Sequence, residues 1–344
     1  MQMYNTIKTI RYMGNKNRLL DFIIPEIIKN SSKYDVICEL MAGTNCVSYA
    51  LKDKRKLYTN DIQYYSYIIS NALIKNNSKI ISSESAVKDL EENYKKNRES
   101  HEYNFFEKNY SDTYFSANQC VEIDSIRYAI NYINDMDIKS LYLVALMNAM
   151  CVCEATSGHF AQYLPSNHPR LEKIKNKSIW DEFLKKCNDF KKIVFSKFDN
   201  KCFNLNYEKL IELQEFDDVN LVYIDPPYTG EQYSRFYHVL ETVCKYDNPE
   251  LEFKGLYRTD RFTSPFSLRT KAFDEFDKLF SILASKGKKI VLSYSTKGLI
   301  KEYEMEYLLK KHFKNCETKR TSYNHSTQGK GNINLEELLF IAYN

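Results

Sequence analysis

Asn220-Leu221-Val222-Tyr223-Ile224-Asp225-Pro226-Pro227-Tyr228 is the stretch on which the fold turns. The run Asn220 to Ile224 is mostly apolar, β-branched and aromatic, and turn residues bound it. It predicts a short buried strand. A residue before proline favours extended geometry, so the strand is expected to persist to Asp225. The two prolines fix φ and remove two backbone donors. The product is a stiff turn at the carboxyl end of a strand, presenting one carboxylate, bare carbonyls and an aromatic ring. Open α/β sheets bind ligands at that edge. Acceptors and a flat ring, without a base or a metal, suit the exocyclic amine of a nucleobase. The lone pair of such an amine is delocalised into the ring, so the amine is a poor nucleophile. Asp225 and a proline carbonyl can accept its two hydrogens and favour a tetrahedral nitrogen, while Tyr228 stacks on the base. A plain proline turn with a packed tyrosine explains the four residues equally well, so the rest of the chain decides.

A second unit lies near the start. Asp35-Val36-Ile37-Cys38-Glu39-Leu40 reads as another buried strand, followed by Met41-Ala42-Gly43-Thr44-Asn45 and a helical Cys46 to Leu51. A strand, a small-residue turn and a helix N-terminus let a ligand approach the backbone closely. The single glycine argues against a dinucleotide fingerprint, which needs three. Lys56-Leu57-Tyr58-Thr59-Asn60-Asp61 then predicts a third strand ending in a carboxylate. An acid there suits ribose hydroxyls. Capping of a helix expected over Tyr64 to Ile74 is the simpler role for Asp61, and the two are compatible.

These residues resemble DNA adenine-N6 methyltransferases of the class that includes the Dam enzyme. Arg11-Tyr12-Met13-Gly14-Asn15-Lys16 is similar to the family's N-terminal cofactor block, and Glu39 to Asn45 to its S-adenosylmethionine loop. Asn60-Asp61-Ile62 is similar to its ribose-binding block, and Asp225-Pro226-Pro227-Tyr228 matches its catalytic block without change. Gln232 to His238 and His325 to Gly331 resemble stretches of some members. The resemblance implies S-adenosylmethionine as cofactor, held by Tyr12, Gly14, Lys16, Glu39, Met41, Ala42, Gly43, Thr44, Asn45, Asp61, Ile62, Asn206 and Asp225. It implies catalysis by Asp225, Pro226, Pro227 and Tyr228. Two positions depart from the pattern. Asn45 replaces the usual second loop glycine, and asparagine tolerates positive φ better than most residues. Asn206 stands where the family often has an acid that reads the cofactor adenine; a helix N-cap before Tyr207 is the stronger reading.

The 344 residues suffice for one large or two modest domains. A hydrophobic fraction of 43% is ordinary for a globular chain. The formal charge of +4 permits phosphate binding through local patches without demanding it. The 28 tyrosines go with abundant Asn, Lys and Ile, the bias of an AT-rich genome, and are not read as stacking platforms one by one. Nine cysteines, an odd number with no pair spaced by two residues, argue against zinc and disulfides and for a reducing cytoplasm, bacterial or phage-borne. The N-terminus lacks an apolar signal core, and no apolar run reaches the ~20 residues of a membrane span. No metal is expected.

Asn15 to Asn30 predicts an amphipathic helix, interrupted by Pro25. Strands at Lys289 to Tyr294 and Leu338 to Tyr343 are expected late in the chain. Between residues 78 and 200 the strand–helix alternation stops. Helices are expected at Ser85 to Lys96, Val121 to Tyr132, Ile138 to Cys153 and Trp180 to Phe190, with an irregular aromatic run at Phe105 to Phe115 and a long loop over Cys153 to Arg170. The expected fold is therefore a Rossmann-like α/β methyltransferase sheet with helices on both faces, formed by residues 1–77 and 201–344. A mainly helical target-recognition subdomain over 78–200 is inserted into it. The resemblance implies double-stranded DNA as partner, with a separately encoded restriction endonuclease as a further one. Gln162, Asn167 and Arg170 in the long loop, and Arg235, Arg258, Arg261 and Lys330 beyond the catalytic turn, are the candidate DNA contacts. Arg269 and Lys297 extend the second set. The base must leave the stack for its amine to be reached in line. Methylation of cytosine N4 or of RNA adenine, or a non-catalytic DNA-binding role, are the alternatives.

Overall fold

A computed structural model describes residues 4–81, 84–326 and 332–344. Nine strands are present among them: β1 (Val36–Glu39), β2 (Lys56–Asn60), β3 (Lys201–Phe203), β4 (Val219–Ile224), β5 (Leu251–Glu252), β6 (Tyr257–Arg258), β7 (Lys289–Ser295), β8 (Asn315–Ser326) and β9 (Asn332–Tyr343). Seven form one sheet in the order β3-β2-β1-β4-β7-β9-β8; β5 and β6 make a separate hairpin. The five strands from β3 to β7 run parallel, whereas β9 is antiparallel to β7 and β8 to β9. Strand order reverses between β1 and β4. Ligands of open parallel sheets bind at such a point, outside the carboxyl ends of the strands. This is a Rossmann-like sheet with an antiparallel edge.

Period-two alternation builds both faces of the sheet. Ile37, Leu57, Leu221, Tyr223, Val291, Leu339 and Ile341 point to one face. Cys38, Tyr58, Val222, Ile224, Ile290, Leu292 and Phe340 point to the other. The second face is covered by the helices Tyr207–Glu212, Ala272–Ser285 and Glu302–His312. The first is covered by the helices Leu20–Lys29, Cys46–Leu51 and Tyr64–Ser70. The helices of the 78–200 stretch join that same face. Phe106, Ile123, Leu141, Val144, Ile179 and Phe183 belong to one continuous apolar cluster with the strand residues. One of these helices, Met136–Cys153, is long and apolar enough by length and composition to cross a membrane, and two thirds of it is buried inside the molecule.

Several expected boundaries shift for local reasons. The strand before the Asp225-Pro226-Pro227-Tyr228 turn stops at Ile224, not Asp225, which leaves the carboxylate outside the ladder. The helix expected from Asn15 begins as a 3₁₀ turn, Lys16–Leu19, capped by the Asn15 side chain, and turns α-helical only over Leu20–Lys29 with Pro25 inside it. The aromatic run expected to be irregular contains a short helix, Phe105–Tyr110. The expected helix at Val121 starts earlier, at Ala117, where Ser116 and Gln119 form a reciprocal capping box. Strand β8 escaped the sequence reading. It lies at the sheet edge, so burial imposes no apolar pattern on it, and its Lys319 and Arg320 suit an exposed edge.

Candidate active site

The carboxyl ends of β1, β2 and β4 converge under a cavity of about 300 Å³, within the range of small-molecule sites. Its floor is the loop after β1. There the Ala42 N–H donates to the Asn60 carbonyl at 2.9 Å, and the Gly43 N–H to Asp61 Oδ2 at 2.8 Å. Gly43 has φ +51°, and a Cβ on it would lie 3.1 Å from the Tyr12 ring. Glycine is required there for both reasons. Asn45 takes the left-handed conformation at φ 60°, as expected for the departure from glycine. Its side chain turns away from the cavity, however. It accepts from Ser70 Oγ at 2.7 Å and donates to the Ser66 carbonyl, bracing the loop from beneath. Asn45 is thus a turn residue and not a wall of the cavity, because its amide is used up inside the core.

Tyr12, Gly14, Lys16, Glu39, Met41, Ala42, Thr44, Asp61, Ile62, Asn206 and Asp225 all line the cavity. Asp61 also accepts from the Gln63 N–H at 2.8 Å through Oδ1. It does not cap the following helix; Glu241 does, accepting from the Tyr64 and Tyr65 N–H groups at 3.1 and 3.0 Å. Burial pushes Asp61 up to about 6, against the pull of its hydrogen bonds from Gln63 and Gly43. Glu39 is nearly inaccessible and accepts from the Ser48 N–H at 2.9 Å; burial pushes it up to about 8. Asn206 accepts from the Glu208 N–H at 3.2 Å, the N-cap role expected of it, while facing the cavity.

Two asparagines to which the sequence reading gave no bracing role hold these pieces together. Asn60 donates to the carbonyls of Leu40 and Leu205 at 3.2 and 3.0 Å and accepts from the Leu205 N–H. Asn204 donates to the carbonyls of Asp61 and Ile62 at 2.8 and 3.0 Å. They tie the ends of three adjacent strands into one rigid edge.

The turn after β4 opens into the same cavity through Asp225, Pro226, Pro227 and Tyr228. Asp225 Oδ1 lies 3.1 Å from Lys16 Nζ, which in turn lies 2.7 Å from Glu337 Oε1 on β9. Burial pushes Asp225 up to about 6, with Lys16 pulling down and Glu337 pushing up. Burial also opposes the charge of Lys16, but the two carboxylates outweigh it and hold the amine well above its ordinary value. Lys16 Nζ sits 5.3 Å from the centroid of the Tyr228 ring. Tyr228 is fixed by its carbonyl, which accepts from the Leu299 N–H at 2.9 Å, and by an edge contact with Tyr294 at 6.0 Å. Gly14, at φ +75°, brings the N-terminal block close to Tyr228 and Tyr233. Tyr12 stacks on Tyr237 at 4.7 Å.

The outer wall was not foreseen. Gln232 pairs with the backbone of Ser264 through both ends of its amide, and Ser234 donates to the Phe262 carbonyl. The wall is thereby completed by Phe262, Ser264, Pro265 and Phe266. The Gln232 to His238 stretch had been singled out only by resemblance.

The candidate DNA contacts divide. Gln162, Asn167 and Arg170 are exposed on the long loop. That loop is tied beside the site by the Phe160 N–H, which donates to the Phe236 carbonyl at 2.9 Å, and by His159 stacked on Phe236 at 4.4 Å. Arg235 is paired with Glu231 at 2.8 Å and remains partly exposed. Arg258 differs from expectation: only 2% exposed, it is clamped by Asp247 and Asp260 and locks the β5–β6 hairpin. A guanidinium spent on two carboxylates cannot also serve a phosphate. Arg261 is likewise committed, to Glu252 and to the Arg258 carbonyl. Lys330 lies outside the described residues, as does most of the His325 to Gly331 stretch.

A sheet of this order, with a ligand cavity at its switch point, is the Rossmann-like architecture of methyltransferases. The chain belongs to the D12 class of N6 adenine-specific DNA methyltransferases, which it matches over residues 12–305. Among characterised proteins it is similar to type II methyltransferase M.FokI of Planomicrobium okeanokoites, 33% identical over 324 residues, and to modification methylase LlaI of Lactococcus lactis subsp. lactis, 30% identical over 305. These alignments cover 88% and 85% of this chain but 47% of each relative, so the chain spans about half their length. Type II methyltransferase M2.HphI of Haemophilus parahaemolyticus is 26% identical over 354 residues, 97% of both chains.

Proposed function

We propose that the chain transfers a methyl group from S-adenosylmethionine to the N6 of a flipped-out adenine at specific sites in DNA, as the modification half of a restriction-modification system. The observation that carries this reading is that the Asp225-Pro226-Pro227-Tyr228 turn, the Gly43 loop and Asp61 all open into one cavity. The residues present fit S-adenosylmethionine. Asp61 is held by Gly43 and Gln63 with lone pairs to spare for ribose hydroxyls. Gly43 leaves its backbone open to close approach, and Met41, Ile62 and Phe266 offer apolar surface to a flat base. Acidic groups, not basic ones, dominate the lining, which suits a cationic sulfonium.

When bound, S-adenosylmethionine supplies the methyl group on a positively charged sulfur. The protein supplies alignment. Asp225 and the Pro226 carbonyl accept the two amine hydrogens and favour a tetrahedral nitrogen whose lone pair points at the methyl carbon. Tyr228 holds the extruded base by stacking. The Asp225 carboxylate also opposes the positive charge that grows on nitrogen. Incubation with methyl-labelled donor and DNA, followed by mass identification of product nucleosides, tests the reading. N6-methyladenine supports it, whereas N4-methylcytosine, label in RNA only, or no label would replace it.

The role given to Asp61 leads to a specific expectation. Asp61→Ala weakens donor binding by about 1–3 kcal/mol, the scale of lost hydrogen bonds to a charged group. Calorimetry on the folded variant checks this, and unchanged affinity would reduce Asp61 to a brace for the Gly43 loop.

Residues 78–200 are proposed to choose the DNA sequence, and residues 1–77 and 201–344 to perform the transfer. The exposed loop residues Gln162, Asn167 and Arg170, anchored beside Phe236, support this division. Replacing the three by alanine is expected to relax or weaken site choice, by about 1–3 kcal/mol for each lost base contact, and to spare donor affinity. Methylation of a randomised oligonucleotide pool, read by sequencing, reports the outcome; an unchanged preference would move recognition elsewhere on the surface.

A further inference from the structure

Behind the catalytic turn stands an acid that no motif indicated. Glu337 lies on β9, opposite Ser295 of β7, and is fully buried. Its Oε1 accepts from Lys16 Nζ at 2.7 Å and from Ser293 Oγ. Its Oε2 is buried with no hydrogen-bond partner among the described residues. Lys16 continues to Asp225 at 3.1 Å. One cation and two carboxylates therefore stand together, Lys16 and Glu337 shut off from solvent and Asp225 facing the cavity. Alone, Lys16 would cancel Asp225, and the turn would present no net charge. That is the wrong balance for a donor with positive charge on sulfur and an amine that gains positive charge as the new bond forms. With Glu337 present, the three groups sum to −1.

We propose that Glu337 is a positioning residue that offsets Lys16, so that Asp225 keeps an effective negative charge towards the sulfonium and the target amine. The site thereby favours the cationic donor over its neutral thioether product. The inference rests on the proposed use of S-adenosylmethionine. Other groups facing Asp225 do not change the balance. Burial holds Tyr223 and Tyr233 well above their ordinary values and Cys46 up at about 12, so all three are neutral. Glu39, pushed up to about 8, is mostly protonated at neutrality.

Glu337→Gln is the informative variant. It keeps the shape of the side chain and an oxygen to accept from Lys16 and Ser293, and removes only the charge. Wild type and variant are titrated calorimetrically with S-adenosylmethionine and with S-adenosylhomocysteine. The expected result is an affinity ratio, donor over product, lower by about tenfold in the variant, since a unit charge within the site is lost. The low-pH limb of turnover should also move to lower pH, because Lys16 then acts on Asp225 unopposed. A structural role alone would move neither the ratio nor the limb. Glu337→Asp, which restores the charge, should recover part of the ratio. The double variant Lys16→Met/Glu337→Gln, again net −1, should return the ratio towards wild type even if the single variant folds poorly. A ratio unchanged in Glu337→Gln that binds the homocysteine normally, or not restored in the double variant, overturns the proposal. Wild type that binds neither ligand would instead overturn the cofactor reading beneath it.

Discussion

Asp225→Ala is expected to lower the proposed methyl transfer by at least about 10²-fold, the scale of one lost electrostatic contact in a preorganised site. It leaves affinity for S-adenosylhomocysteine nearly unchanged. The asymmetry follows from where the carboxylate sits. It stands outside the β4 ladder, at the mouth of the turn, with Lys16 as its salt-bridge partner among the described residues. Its removal frees no strand and opens no core, and Lys16 keeps Glu337. On the proposed mechanism, the lost function is orientation of the amine. The pH dependence has a definite sign. Burial raises Asp225 from its ordinary range to about 6. In the proposed mechanism its ionised form accepts the amine hydrogens, so wild-type turnover should fall as pH drops through about 6. For stability the sign is opposite: the folded protein holds this proton more tightly than the unfolded chain, a contribution that is lost as pH rises through about 6. Steady-state assays over pH 5 to 8, with calorimetry on the variant, measure both. Near-normal turnover in Asp225→Ala would remove the residue from the mechanism.

Lys16→Met is expected to be the most destabilising of the active-site changes, by about 3–5 kcal/mol, because it strands two carboxylates in a site that is almost dry. Lys16 is 3% exposed and Glu337 is wholly buried. Asp225, already raised by burial and no longer pulled down by Lys16, would answer by taking up a proton, so the loss should be smaller at pH 5 than at pH 8. Urea denaturation at the two pH values gives the comparison. An equal loss at both would mean that packing of the lysine stem, not its charge, is what stabilises the edge. Lys16→Met/Glu337→Gln should recover much of the deficit, since only Asp225, partly exposed, then lacks a partner.

What could be read from the sequence was what local chemistry writes into consecutive residues. The strand before Asp225, the glycine turn at Gly43 and the carboxylate after β2 each announce themselves within a few positions, and alternation places their strands in the core. Asn45 in the left-handed region was anticipated for the same reason. What stayed hidden depends on partners far along the chain. Glu241 caps a helix 177 positions away, and Glu337 meets Lys16 across 321. Neither has a neighbour in sequence to betray it. Arg258 looked like a free cation because basic residues were read without their acidic partners, yet the hairpin folds Asp247 and Asp260 onto it.

The apolar cluster common to the sheet and the helices of residues 78–200 bears on how specificity can be altered. Ile123, Leu141 and Phe183 are packed into the same interior as Ile37, Tyr223 and Leu339. Exchanging the whole stretch for that of a relative would replace half of an interior fitted to the other half. Chimaeras made at its two junctions should therefore be insoluble or molten. On the proposed division of labour, the segment open to exchange is the surface of the long loop around Gln162 to Arg170. New target sites are then to be sought by grafting loops onto an unchanged interior, as with the variable loops of an antibody, and not by trading modules.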